Sequence, residues 1–179
     1  MVVMLDNGVG GILDELERHG LREKTLIIYS SDNGGSERSG QLNGIYRGGK
    51  FSMLEGGIRD PMLISWPSVL PENRVYGHPV INLDFFPTIL SAANLAPAQE
   101  CDGVNLLPYL TGKTKGTPHE MLFWKMPSDV GGYAVRAGDW KLLKCRLGRG
   151  LFNLKDDPGE TLDLSAKFPE APICSENGE

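Results

Sequence analysis

An apolar run at Thr25–Ser30 (TLIIYS) stops abruptly, and after Ser31 the chain continues with Asp32, Asn33 and two glycines. The run is apolar at successive positions, which is typical of a β-strand covered on both faces. The polar end has two explanations. The first is an ordinary turn, because Asp and Asn before Gly are common turn formers. The second is that the strand presents two oxygen ligands to a metal ion.

The segments on either side of this strand indicate an α/β sheet. Apolar residues upstream recur at helical spacing, and Gly20 is placed to end that helix; they are Leu5, Val9, Ile12, Leu13 and Leu16. A second strand is predicted at Pro61–Pro67. A further helix, which Asn82 or Asp84 can cap, is predicted to run to about Asn94. A helix followed by a buried strand is typical of α/β proteins.

The character of the sequence changes between residues 96 and 118, where turn-forming residues dominate. Beyond this region, MLFWKM, YAVRAGDWKLLKC and GLFNLKDD are short β-rich stretches separated by glycines, and they predict an antiparallel meander. We therefore expect residues 1–96 to belong to an α/β domain and residues 97–179 to form a small antiparallel-sheet subdomain with a terminal helix or tail.

Residues 32–57 form a glycine-rich stretch without periodicity, which predicts a long irregular loop. Loops of this length in compact domains are usually functional or disordered. Lys50 follows Gly48 and Gly49, whose lack of side chains leaves its ammonium free to reach an anion. A compact point charge of this kind suits a tetrahedral oxyanion. With a divalent cation on Asp32 and Asn33, the loop would hold a sulfate or phosphate ester.

Composition excludes several classes of function. Eighteen basic and 23 acidic residues give a net charge of −5 without a basic stripe, so nothing indicates nucleic-acid binding. No apolar run is long enough to span a bilayer. The three cysteines, Cys101, Cys145 and Cys174, match no zinc spacing, and their odd number prevents complete pairing within the chain.

Several linked motifs carry a family resemblance. They are TLIIYSSDNGG, RGGKFSMLEGGIRDPMLISWP, LDFFPTIL, DGVNLLPYLTG and AVRAGDWKLL. Their order and spacing resemble the C-terminal part of the type I sulfatases, the formylglycine-dependent arylsulfatase family of the alkaline phosphatase superfamily. The resemblance covers about residues 1–168. It implies an alkaline phosphatase-like mixed sheet sandwiched by helices, followed by a small antiparallel-sheet subdomain.

The resemblance assigns roles to individual residues. It implies that Asp32 and Asn33 coordinate a calcium ion and that Lys50 is a catalytic residue that contacts the sulfate. The segment Glu55–Arg59 matches the Glu-Gly-Gly-x-Arg of the family and is interpreted as loop architecture near the site. Arg47 and His119 are candidate substrate contacts because of their positions next to the lysine loop and at the start of the late subdomain.

The nucleophile motif of the family, Cys-x-Pro-Ser-Arg, does not occur in this sequence. The segment Cys145–Arg149 (CRLGR) has the cysteine and arginine, but Leu147 stands where proline or a small residue is needed. The resemblance implies that the formylglycine and the remaining calcium ligands lie N-terminal to this chain. We therefore expect the 179 residues alone to be inactive.

Alternatives to a sulfatase remain open from the sequence. One is a phosphodiesterase or phosphonate monoester hydrolase of the same superfamily, which would share the metal and lysine scaffold. The other is a non-catalytic fragment or binding module, which would hydrolyse no ester. The expected substrate is a sulfated small molecule or carbohydrate. Localisation cannot be read from the chain itself; the resemblance implies a periplasmic, secreted or lysosomal protein.

Overall fold

The computed structural model describes residues 2–36, 40, 42–97, 99–126, 132–145 and 148–168. Contacts divide the chain into two compact units. The first contains the residues up to Tyr29 together with Met62–Pro118, and the second contains Ser30–Pro61 together with the chain from His119 onward. The glycine-rich loop thus groups with the late antiparallel sheet. The predicted division of the chain into residues 1–96 and 97–179 stays a prediction.

The first unit begins with the predicted amphipathic helix, α1 (Val2–Arg18), and the chain leaves it through Gly20 at φ +64°. A positive φ is readily adopted by glycine, so the residue acts as the predicted stop. No helix in the part of the chain that the structure describes is both long and apolar enough to cross a membrane.

The predicted strand is β1 (Ile27–Ser30), and it forms a two-stranded sheet with β2 (Met62–Ser65). The expectation that β1 is covered on both faces is wrong for this chain, because Tyr29 and Ser30 are exposed and the two isoleucines are only half-buried. β2 is its sole strand neighbour within the described ranges, which leaves much of its surface without cover.

The predicted capped helix is α3 (Phe85–Ala92), preceded by a 3-10 turn at Asn82–Asp84. The fully buried Asp84 accepts hydrogen bonds from the backbone N–H of Ile81 (2.9 Å) and Val104 (2.8 Å). It thereby caps the turn and ties α3 to the segment that leads into the short helix α4 (Leu107–Leu110).

The second unit is built on an antiparallel meander in the order β3-β4-β5-β6, which confirms the predicted topology. The strands are β3 (Met121–Lys125), β4 (Gly132–Ala137), β5 (Trp140–Cys145) and β6 (Gly148–Asn153). Gly138, at φ +56°, lies in the tight turn between β4 and β5.

One face of the meander forms the core of the second unit. Ala134, Leu143 and Phe152 are buried there with Met53 from the glycine-rich loop and Leu154. The loop is therefore not wholly irregular: it folds onto the sheet and ends in a four-residue helix, α2 (Glu55–Ile58). This packing positions the residues on either side of Met53.

Candidate functional site

A cavity of about 810 Å³ lies in the second unit, where the end of β1 meets the glycine-rich loop. Three of the predicted site residues, Asp32, Asn33 and Lys50, line it together. Arg59 and Asp60 line the same cavity. The structure therefore brings the proposed metal ligands and the proposed anion contact to one place.

The backbone after β1 packs very closely against the Gly56–Gly57 backbone. Gly34, which directly follows the Asp-Asn pair, donates its N–H to the carbonyl oxygen of Gly57 at 3.2 Å. A Cβ at Gly34 would lie 1.8 Å from the carbonyl oxygen of Gly56, so a side chain has no room there. The glycine after Asn33 is required by packing as well as by the turn.

The loop has two branches joined by hydrogen bonds, residues 32–35 and residues 47–50, and Lys50 lies on the second. Its backbone N–H donates to the Gly35 carbonyl at 3.1 Å, while its side chain is exposed and its Nζ lies 5.5 Å from the centroid of the Phe51 ring. Asn43 connects the two branches: its amide donates to the carbonyls of Gly35 (3.2 Å) and Gly48 (2.8 Å). Sequence analysis missed Asn43, because nothing local distinguishes it from other loop asparagines.

A second carboxylate, Asp60, makes the cavity more acidic than the sequence indicates. Burial raises the pKa of Asp60, and the negative charge of Asp32 raises it further. The two carboxylates are thus close enough to interact, and a bound cation would relieve that repulsion. Two other lining residues contact each other: the Arg59 guanidinium lies 4.7 Å from the centroid of the Tyr46 ring.

The donor set fits calcium as part of a larger ligand group. A carboxylate and an amide oxygen are the hard donors that Ca²⁺ prefers, and it takes six to eight of them. No cluster of three or more His, Cys, Asp or Glu side chains that could hold a metal occurs in the described ranges. Asp32 and Asn33 supply two oxygen ligands, so a calcium ion bound there would need further ones.

The two candidate substrate contacts do not line this cavity. The Arg47 guanidinium lies 5.8 Å from the centroid of the Phe152 ring, and its charge helps to lower the pKa of Asp157. His119 is half-buried two residues before β3. Their roles as substrate contacts stay predictions.

The segment Glu55–Arg59, interpreted above as loop architecture, begins at a buried ion pair. Glu55, the first residue of α2, is buried, and its carboxylate accepts a hydrogen bond from the buried Lys141 ammonium at 2.9 Å. Glu160 completes this cluster. No sequence signal connects these residues, because Glu55 is 86 positions from Lys141 and 105 from Glu160.

Comparison with known proteins identifies the family. The family model described as Sulfatase matches residues 1–95 of the chain. The chain belongs to the sulfatase family. The steryl-sulfatase of Mus musculus is 40% identical over 129 residues, which are 66% of this chain and 21% of that protein. The choline-sulfatase of Rhizobium meliloti (strain 1021) is 32% identical over 173 residues, which are 94% of this chain and 32% of that protein.

The sulfatase fold extends over nearly the whole chain. The crystal structure of Ps i-CgsB in complex with k-i-k-neocarrahexaose superposes with a TM-score of 0.87 at 33% sequence identity, covering 95% of this chain and 39% of that one. The predicted α/β architecture of alkaline phosphatase type, with its small antiparallel sheet, is confirmed. This chain spans between a fifth and a third of the length of these two curated relatives.

Proposed function

We propose that the protein containing this chain is a sulfuric ester hydrolase, and that the chain contributes Lys50, Asp32 and Asn33 to its active site. The observation that carries the proposal is the meeting of these three side chains in one cavity, on loop branches joined by Asn43. Membership of the sulfatase family supports it.

Each residue has a distinct task in this proposal. The Lys50 ammonium binds a nonbridging oxygen of the sulfate group and stabilises the charge that develops there. Asp32 and Asn33 bind calcium, which when present supplies further positive charge to the sulfate oxygens. The formylglycine nucleophile and the remaining calcium ligands belong, by family resemblance, to sequence outside these 179 residues.

The proposed substrate is a sulfated carbohydrate or a sulfated small molecule. Support comes from the relatives: the structure of Ps i-CgsB holds an oligosaccharide, while other relatives are named for steryl and choline sulfates. Release of inorganic sulfate from a carrageenan oligosaccharide, a steroid sulfate and choline sulfate, measured in parallel, would distinguish these classes.

The test of the reaction uses the full-length product of the gene that encodes this chain, assayed with 4-nitrophenyl sulfate and calcium. Lys50→Met is expected to lower kcat about 100-fold, the usual effect of losing one group that stabilises developing charge. Lys113→Met, at an exposed lysine of the first unit, is the matched control and is expected to match the wild type. Absence of sulfate-ester hydrolysis by the wild type, or full activity of Lys50→Met, would contradict the proposal.

The metal assignment has a separate readout. Asp32→Asn removes one charge from the ligand set, so we expect weaker calcium binding by isothermal titration calorimetry, independent of turnover.

The alternative reaction is tested with the wild-type full-length product, assayed with a 4-nitrophenyl phosphonate ester. A preference for the phosphonate over the sulfate would favour a phosphonate monoester hydrolase on the same scaffold.

A further inference from the structure

Three charged side chains form a buried cluster in the second unit, and none of them lines the cavity. Lys141 and Glu160 are fully buried, and Glu55 is 2% exposed. The Lys141 Nζ lies 2.9 Å from Glu55 Oε1 and 2.9 Å from Glu160 Oε1. Buried ions cost free energy unless they are paired, and here one ammonium donates a hydrogen bond to Glu55 and lies at ion-pairing distance from Glu160.

Glu160 is held in an unusual backbone conformation. Its φ is +53°, in the left-handed region that non-glycine residues seldom adopt. Its Oε2 accepts a hydrogen bond from the backbone N–H of Glu55, which lies 105 residues earlier. The strained turn therefore places a carboxylate against the first residue of α2, where the sequence Glu-Gly-Gly begins.

The Gly56–Gly57 backbone connects this cluster to both branches of the active-site loop. The Gly56 N–H donates to the Arg47 carbonyl at 2.9 Å, and a Cβ on Gly57 would lie 2.5 Å from the Gly49 carbonyl oxygen. On its other side, the same backbone lies against Gly34. It thus touches the residues just before Lys50 and the residue just after Asn33.

We infer that Lys141 and Glu160 are positioning residues. They fix Glu55, and through the two glycines they set the spacing between the Lys50 branch and the Asp32–Asn33 branch. Neither residue lines the cavity. The catalytic consequence of this inference rests on the proposed sulfatase function, whereas its structural content does not.

A second contact links the cluster to the cavity. The Glu55 Oε2 atom lies 3.5 Å from Nη1 of Arg59, which lines the cavity, and 3.7 Å from Nη1 of Arg136 on β4. An apolar trio could fill the same space with less desolvation, but it would make no directional contact with Arg59, Arg136 or the backbone N–H of residue 55.

The test compares Lys141→Met and Glu160→Gln in the full-length product. Lys144→Met is the control, since Lys144 is an exposed lysine on the same strand. The readouts are kcat and KM for 4-nitrophenyl sulfate, inhibition by inorganic sulfate, the melting temperature, and hydrogen exchange of peptides covering residues 31–36 and 42–57. We expect kcat/KM to fall about 10-fold or more, as misplaced catalytic groups do, with faster exchange in both peptides and no change in the control.

A purely structural role predicts a different result. The melting temperature would fall, while kcat/KM, sulfate inhibition and exchange of the two peptides would match the wild type well below that temperature. This outcome would overturn the inference. If the wild type hydrolyses no sulfate ester, the proposed function fails, but the exchange comparison still decides whether Lys141 and Glu160 position the loop.

Glu160→Gly guards against a variant that simply fails to fold. Glycine tolerates the positive φ, so this change removes the carboxylate while relieving backbone strain. We expect the same loss of kcat/KM and the same faster exchange as in Glu160→Gln. Wild-type values for Glu160→Gly would show that the turn alone suffices and would overturn the inference.

Discussion

At the residue scale, the site depends on glycines that carry no chemistry of their own. Gly34, Gly56 and Gly57 lie where backbone segments approach so closely that an added Cβ would meet main-chain atoms within 2.5 Å. Such neighbours cannot move aside as a flexible side chain can. The absence of a side chain is therefore what allows Asp32, Asn33 and Lys50 to share one cavity.

Gly56→Ala tests this requirement. Its Cβ would lie 2.3 Å from the Gly48 carbonyl oxygen and 2.6 Å from that of Arg47. We expect the free energy of unfolding to fall by about 2 kcal/mol or more because the backbone must shift. Chemical denaturation followed by circular dichroism measures the change.

The matched control is Gly77→Ala, at a position where a Cβ would meet no atom within 4 Å. Its unfolding free energy is expected to stay within about 0.5 kcal/mol of the wild type. Equal stability of the Gly56 and Gly77 variants would contradict the close packing of the Glu-Gly-Gly segment.

At the element scale, α1 contains interior glycines that nothing nearby requires. Gly11 is exposed, and a Cβ there would meet no atom within 4 Å. Gly11→Ala should stabilise this chain by about 1 kcal/mol, because alanine loses less backbone entropy in a helix. Thermal melting of the 179-residue chain at low protein concentration, where self-association is weakest, measures it, and a lower melting temperature than the wild type would count against the expectation.

The turn after β6 makes the fold sensitive to acid. Partial burial acts to raise the pKa of Asp157, but hydrogen bonds from Leu162 and Thr161, together with Arg47, outweigh it and hold the pKa below its ordinary value. A lowered carboxyl pKa contributes stability above the unfolded-state pKa, and that stability is lost as the pH falls through the folded-state value.

We therefore expect wild-type stability to decrease below about pH 4, near the ordinary pKa of aspartate, and Asp157→Asn to flatten part of that decrease. Denaturation midpoints measured from neutral to acidic pH give the comparison. Asp156→Asn, at the exposed neighbouring residue, is the control and should keep the wild-type pH profile. An unchanged profile in Asp157→Asn would disprove the assignment.

At the scale of the whole molecule, this chain leaves much apolar surface uncovered. The exposed fractions are 81% for Val2, 70% for Val3 and 64% for Ile12 on α1, and 67% for Leu63 on β2. Surfaces of this kind are normally interaction sites or aggregation liabilities. β1 and β2 also have edges that no other described strand pairs.

We predict that the 179-residue chain expressed by itself self-associates, because α1 presents apolar side chains to solvent. Analytical ultracentrifugation over a range of concentrations measures this. The double variant Val3→Glu, Ile12→Lys should associate less, since it places charge on that surface. A sharp, monomeric and cooperatively melting wild-type chain would contradict the prediction.

The sequence by itself determined the features that depend on local order. The α1 periodicity, the β1 strand, the α3 helix and the meander follow from neighbouring residues, and the linked motifs pointed to Asp32, Asn33 and Lys50. These residues could be predicted because Asp32 and Asn33 lie just after a strand end and Lys50 follows a glycine pair, features that neighbouring positions in the sequence show.

Only the tertiary structure revealed the features that join distant parts of the chain. Asp60 lies in the same cavity as Asp32, Asn43 joins two branches of one loop, and Glu160 meets Glu55 across 105 residues. The glycine-rich loop also groups with the late sheet rather than with the strands that flank it. Hydrophobic burial and ion pairing act between side chains close in space whatever their separation in sequence, so no local pattern records them.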